Sequence, residues 1–174
     1  NQVVIWELKT RSRVQTLRHG GPVLSLSFGV TGSRIASGGR DGTLRIHQVK
    51  TWLCVRETHM HSGELRSIAF SPRGDCIAMG CAKPDESNRL PSPGGRLTSP
   101  GGQLSSGGSQ RNLAIQYINA NYHPKALFTE DTQKIKSIAF SPGAELLAIA
   151  HGKNIELIDV KLGKKLHDAY KLPD

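Results

Sequence analysis

Three stretches of this chain share one pattern: VLSLSFGVTG at 23–32, LRSIAFSPRG at 65–74 and IKSIAFSPGA at 135–144. Their phenylalanines, Phe28, Phe70 and Phe140, lie 42 and 70 residues apart. Leaving out the 29 residues of 83–111, which are rich in Gly, Ser and Pro, shortens the second interval to 41. A period of about 40 residues indicates a supersecondary unit that recurs along the chain.

The ends of the units provide a second landmark. Four segments align there: VVIWEL at 3–8, LRIHQV at 44–49, LAIQYI at 113–118 and IELIDV at 155–160. Their equivalent residues, Ile5, Ile46, Ile115 and Leu157, are separated by 41, 69 and 42 residues. The long interval again contains 83–111, so two independent landmarks place one insertion in a regular repeat.

Each unit is predicted to form four short antiparallel strands. In the unit at 20–60 these strands are 23–28, 34–39, 43–49 and 53–58. Asp41-Gly42 between two apolar runs is a strong hairpin signal. The apolar residues Val23, Leu26 and Phe28 are spaced three and then two apart, which predicts a β-bulge in the first strand. Four-stranded units at this period predict an all-β propeller.

The unit at 20–60 also resembles a known family. His19 precedes its first strand, Ser37 lies in the second, Asp41 in the tight turn and Ile46 in the third. This pattern is similar to the WD-repeat β-propeller family, except that His47 stands where the family usually has Trp. The resemblance covers the chain apart from the insertion.

The resemblance implies a buried hydrogen-bond relay. Asp41 is expected to accept bonds from turn amides and from His19, whose other nitrogen meets Ser37. His47 is expected to complete this relay only in part. We interpret the group as structural, because no nucleophile elbow or oxyanion-hole motif accompanies it. We therefore predict that the chain is not an enzyme and that it needs no cofactor, metal or small-molecule ligand.

The repeat predicts a division of the chain into blades. The divisions are the last two strands of an incomplete blade at 1–19, blades at 20–60 and 61–128, the latter with a disordered insertion at 83–111, and a blade at 129–174. Propellers close with about four to eight blades. We therefore expect an open arc that is part of a longer protein and that associates or aggregates when produced alone.

The charge of the chain is uneven. Of the net charge of +9, residues 1–58 contribute +6, from nine Lys or Arg and three acidic residues. A basic surface would attract nucleic acid, the acidic tails of tubulin or anionic lipid. The alternative is a solvated surface whose balancing acids lie elsewhere in a longer protein. Aromatic side chains do not interleave with these charges, as they do in single-strand nucleic-acid sites.

The insertion has internal order of its own. RLPSPGG at 89–95 is followed directly by RLTSPGG at 96–102. Ser92 and Ser99 each precede a proline and follow an arginine by three residues, which resembles the target sites of proline-directed or basophilic kinases. The alternative is a passive expansion by tandem duplication in a tolerant loop.

Partner binding is assigned by position in the repeat. In the WD-repeat family, partners are most often held on the face that carries the loops between blades and the turns between the second and third strands. The resemblance places on it Arg18, Arg40, Ser62, Glu64, Arg66, Lys134, Lys136, His151 and Lys153.

Two functions follow from these features. The first is a protein-interaction scaffold that binds proteins or peptides. The second is a microtubule- or nucleic-acid-associated module that uses the basic surface. No stretch of about 18 apolar residues is present, so we predict no membrane insertion. We expect an intracellular protein, in the cytoplasm or at the cytoskeleton rather than in the nucleus.

Overall fold

The computed structural model describes residues 1–60, 63–82, 113–118, 125–127 and 135–171. Fourteen strands lie in these ranges. In the first half they are β1 (Gln2–Glu7), β2 (Ser12–Arg18), β3 (Val23–Phe28), β4 (Arg34–Gly39), β5 (Thr43–Gln48), β6 (Cys54–His59) and β7 (Glu64–Phe70). In the second half they are β8 (Cys76–Ala82), β9 (Leu113–Tyr117), β10 (Lys125–Leu127), β11 (Ile135–Phe140), β12 (Leu146–His151), β13 (Asn154–Asp159) and β14 (Lys164–Lys171).

The strands form separate antiparallel sheets in which each strand pairs with its neighbour in the sequence. Strands β3 to β6, β7 to β10 and β11 to β14 each form a four-stranded sheet, and β1 pairs with β2. This arrangement confirms the predicted all-β class and its four-stranded antiparallel units. The insertion at 83–111 lies outside the described residues, although β8 and β9 on either side of it pair with each other.

The sheets share one register, as the aligned ends of the units predict. Ile46 pairs with Ala36, Ile115 with Ala78, and Leu157 with Ala148. Each sheet thus places a branched aliphatic side chain opposite an alanine at the same point. The repeat in the amino-acid sequence is therefore also a repeat in the strand pairing of the sheets.

The predicted bulge recurs in the first strand of each four-stranded sheet. The register shifts between Val23 and Ser25, between Leu65 and Ser67, and between Ile135 and Ser137. The extra residue at each site is Leu24, Arg66 or Lys136. A bulge re-aims the side chain that it carries, so these three residues occupy a special position at one end of their strands.

Serine side chains join neighbouring sheets along their first strands. The hydroxyl of Ser25 accepts the backbone N–H of Ile68 at 2.9 Å, and that of Ser67 accepts the N–H of Ile138 at 3.0 Å. These serines are equivalent in the repeat. Each serine accepts a hydrogen bond from a backbone amide in the first strand of the next sheet, where an unpaired buried amide would be costly.

Apolar cores fill the spaces between the sheets. One core packs Leu65, Ile68 and Phe70 of β7 against Leu44 and Ile46 of β5. The next core uses equivalent residues of β11 against the β7–β10 sheet. A third, smaller cluster joins the two-stranded sheet to the β3–β6 sheet through Val3, Leu17 and Ile35, with Trp52 packed against it.

Because consecutive strands are antiparallel, their connections lie at two opposite ends of each sheet, which we call the upper edge and the lower edge. The upper edge is where β2 leads into β3, β4 into β5, β6 into β7 and β12 into β13. The lower edge carries the turns that join β1 to β2, β3 to β4, β5 to β6, β7 to β8, β11 to β12 and β13 to β14. Backbone bonds from Arg40 to Pro22 and from Met60 to Gly42, both 2.8 Å, tie neighbouring upper loops together. The upper edge is thus one surface built from successive units.

Candidate partner-binding surface

The structure brings the members of the proposed relay together near the upper edge. His19 follows β2, Ser37 lies in β4, and Asp41 is in the turn before β5. Nε2 of His19 lies 2.7 Å from the Ser37 hydroxyl, and the Thr43 amide donates to Oδ1 of Asp41 at 3.1 Å. Ser37 is fully buried, which keeps its hydroxyl away from any substrate.

Arg45 stands where the sequence led us to expect a direct bond between His19 and Asp41. Nη1 of Arg45 donates to Oδ2 of Asp41 at 3.1 Å and lies 2.9 Å from Nδ1 of His19. Its Nε donates to Glu57 at 3.1 Å. Arg45 reaches this position because it lies directly opposite Ser37 in the β4–β5 ladder. Counting residues in both directions from the Asp41-Gly42 turn would have placed Arg45 opposite Ser37.

Burial and the neighbouring charges shift the pKa values of His19 and Asp41. Burial, reinforced by the nearby Arg45 cation, lowers the pKa of His19. Burial acts to raise the pKa of Asp41, but the bonds from the Thr43 amide and from Arg45 outweigh it, so the pKa is lowered. His19 is therefore neutral and Asp41 charged at neutral pH. A neutral histidine offers Arg45 a lone pair at Nδ1, as the geometry requires.

His47 does not join this network. Its Nδ1 is buried and has no hydrogen-bond partner. Burial is also the main cause of its lowered pKa, with the Arg45 charge second. The sequence led us to expect partial completion of the relay by His47. The structure differs because Arg45, two residues before His47 on the same strand, takes the contact with His19.

A compact group of charges occupies the upper edge between the β3–β6 and β7–β10 sheets. Nε of Arg40 lies 2.8 Å from Oε1 of Glu64, and Nη2 of Arg66 lies 2.9 Å from Oε2. The Glu64 side chain is only 5% exposed, whereas Arg40 is 63% and Arg66 39% exposed. A buried carboxylate therefore holds two arginines that face solvent.

The other residues assigned to this surface lie in different settings. Arg18 ends β2 and is exposed, and Lys136 occupies the bulge of β11, where its Nζ donates to the Gly152 carbonyl at 3.1 Å. Lys153 is exposed in the turn between β12 and β13. The assignment of His151 to the surface is wrong, because its side chain is only 2% exposed, with Nε2 3.3 Å from Oε1 of Glu156.

Some assigned residues lie outside the described part of the chain. They are Ser62, Lys134 and the two serines of the insertion, Ser92 and Ser99.

A cleft at the lower edge was not indicated by the sequence. It has a volume of about 430 Å³ and lies between the turns of the β7–β10 and β11–β14 sheets. Its charged lining residues are Arg73, Asp75, Glu145, Asp159 and Lys161. Because its lining includes both cations and carboxylates, the cleft does not select a ligand of one sign.

Comparison with known proteins yields a family match and relatives. The family model described as "WD domain, G-beta repeat" matches residues 11–48 and 52–84. The ribosome biogenesis protein BOP1 homolog of Oryza sativa subsp. japonica is 44% identical over 57 residues, which are 33% of this chain and 8% of that protein. The periodic tryptophan protein 2 homolog of Schizosaccharomyces pombe is 36% identical over 80 residues, 44% of this chain and 9% of that protein.

A solved structure has the same fold. The β-propeller domain of Myceliophteria thermophila Cps50 (Swd1) matches with a TM-score of 0.75 and 15% identity, over 99% of this chain and 49% of that one. The matched parts are thus less than a tenth of the length of either relative and about half of the Cps50 structure. In the part of the chain that the structure describes, no helix is long and apolar enough to cross a membrane. The chain therefore contains two segments that match WD repeats, and it has the fold of a β-propeller.

Proposed function

We propose that the chain is part of a protein-interaction scaffold that binds proteins or peptides through its upper edge. The observation that carries this proposal is the group of Arg40, Glu64 and Arg66, which fixes exposed arginines from neighbouring sheets on one surface. Arginine is among the residues most often responsible for binding energy at protein interfaces. The internal chemistry of the sheets supports a scaffold rather than an enzyme, since Ser37 and its histidine are enclosed.

We rank a microtubule- or nucleic-acid-associated module second. Part of the early positive charge is neutralised within the fold, because Arg45 pairs with Asp41 and Glu57. Arg40 is likewise paired with Glu64. The exposed cations that remain are divided between the two edges, with Lys9 and Lys50 at the lower one. The charge therefore does not favour one continuous basic face.

The cellular location stays a proposal. We expect an intracellular protein. The expectation of the cytoplasm over the nucleus gains no support from the rice relative, which is named as a ribosome biogenesis protein.

The scaffold proposal is tested by affinity capture with two variants of equal charge. Arg18→Glu with Lys136→Glu reverses charge at the upper edge, and Lys9→Glu with Lys50→Glu does so at the lower edge. We expect the upper-edge pair to lose the proteins captured by the unmodified chain, and the lower-edge pair to retain them at physiological salt. The opposite pattern would contradict the proposal. A steep loss of all capture with added salt would favour the basic module instead.

A further inference from the structure

The Glu64 carboxylate is the centre of an unusual charge arrangement. It is the first residue of β7 and is almost completely buried, yet it contacts guanidinium groups from two different sheets. Burial of a charge is costly unless it is paired. One arginine neutralises the carboxylate, so the second leaves a net positive charge at the surface.

The two arginines retain donors for a ligand. The bonds to Glu64 use Nε of Arg40 and Nη2 of Arg66. A guanidinium group carries five N–H donors in a rigid plane, so each arginine keeps several beyond its bond to Glu64. Both side chains are more than a third exposed, which leaves these groups accessible to a partner.

The arrangement also orients these donors in advance. Arg66 is held in the bulge of β7, and Arg40 lies in the turn after β4 of the neighbouring sheet. Because Glu64 fixes both side chains, a ligand would incur less of the ordering cost that flexible arginines impose.

The surroundings increase the positive charge. Lys136 occupies the same bulge position on β11 that Arg66 occupies on β7, and these first strands of neighbouring sheets are joined by Ser67. The nearby carboxylate of Asp41 is already bonded to Arg45. An anionic ligand at this point would therefore meet cations on the upper edge.

We propose that Arg40 and Arg66, positioned by buried Glu64, form a recognition site for an Asp or Glu side chain in an acidic segment of a partner protein. The fork of a guanidinium group matches a carboxylate in a bidentate way. This inference rests on the proposed scaffold function and adds the chemical class of its partner.

The direct test uses fluorescence anisotropy with the full chain and three labelled probes. These are a peptide of alternating Gly and Glu, the same peptide with Gln in place of Glu, and a single-stranded RNA of similar length. We expect the Glu peptide to bind, the Gln peptide not to bind, and the RNA to bind more weakly than the Glu peptide. Stronger binding of the RNA than of the Glu peptide would overturn the assignment and point to phosphate.

Variants separate geometry from net charge. Arg66→Ala is expected to weaken Glu-peptide binding about tenfold, the loss of a charge-assisted hydrogen bond. Arg66→Lys keeps the charge and the pairing with Glu64 but lacks the fork, so we expect it to restore binding only in part. Lys50→Ala removes the same charge at the lower edge and should change affinity less than about twofold, because its charge is screened at that distance.

Two outcomes would contradict the inference. Equal losses in Arg66→Ala and Lys50→Ala would show an effect of net charge alone, and full binding by Arg66→Ala would exclude the site. Thermal melting of each variant establishes that it is folded, and Arg66→Lys provides the comparison if Arg66→Ala is not. If the upper-edge charge reversal abolishes protein capture while Arg66→Ala binds the Glu peptide normally, the scaffold stands and this inference fails.

Discussion

At the scale of single residues, His19 and His47 show how the β3–β6 sheet handles polar groups in its interior. His19 satisfies both ring nitrogens, one at the Ser37 hydroxyl and one at Arg45. His47 is equally enclosed but leaves Nδ1 without a partner. An unsatisfied buried polar atom costs about 1 to 3 kcal/mol. The sheet therefore contains one histidine that stabilises it and one that does not.

Both histidines make the stability of the chain depend on pH. Their pKa values are lowered in the folded chain, chiefly by burial. The unfolded chain therefore takes up protons near pH 6.5, the value of an ordinary histidine, while the folded chain does not. The contribution of these two histidines to stability is fully present above about pH 6.5, and it is lost as the pH falls below that value. We expect the melting temperature to drop between about pH 7.5 and 5.5.

The variant His47→Phe checks this explanation. It removes the unsatisfied nitrogen and one of the two groups, so we expect a gain of about 1 kcal/mol at pH 7.5 and a shallower fall towards pH 5.5. Thermal unfolding followed by circular dichroism at both pH values measures the two effects. An unchanged pH slope would mean that His47 does not contribute to it.

At the scale of elements, neighbouring sheets approach closely because small residues occur at equivalent places. Gly38 and Gly80 each face the first strand of the next sheet, and a Cβ atom at Gly80 would lie 2.6 Å from Cγ2 of Ile135. The hydroxyls of Ser25 and Ser67 then reach the backbone of that strand. The glycine and the serine act together, since the hydrogen bond requires the close approach.

We therefore expect Gly80→Ala to destabilise the chain. The added methyl group would collide with a β-branched side chain that has little freedom to move, at a cost of about 1 to 3 kcal/mol. Gly143→Ala is the matched control, because the atoms nearest to a new Cβ there lie at 3.9 Å. Chemical denaturation of both variants measures the difference. Equal stability would show that the sheets can separate without cost.

At the scale of the whole molecule, the two-stranded sheet covers only part of the sheet that follows it. Phe28 of β3 is 58% exposed, whereas its equivalent Phe70 in β7 is buried under the preceding four-stranded sheet. Leu26 is exposed in the same way, although its equivalent Ile68 is buried. Leu26 and Phe28 of β3 therefore form an exposed apolar surface. Such surfaces favour association.

We expect Phe28→Ser to reduce self-association of this chain without much loss of stability. Most of the Phe28 side chain lies in solvent, so its removal costs little burial. Phe70→Ser is the comparison and should cost several kcal/mol, as other truncations of buried aromatic residues do. Light scattering over a range of concentrations measures association, and thermal melting measures stability. A chain that is already monomeric before substitution would contradict the expectation.

The sequence alone was sufficient to predict the repeat, the four-stranded units and the bulge, because each depends on local periodicity and on turns such as Asp41-Gly42. It also indicated that His19 and Ser37 belong together, through the resemblance to WD repeats. Only the tertiary structure decided that Arg45 lies between His19 and Asp41, and that Glu64 is enclosed between arginines. The same holds for the burial of His151. These features depend on distances across strands and between sheets, which the period of a sequence does not encode.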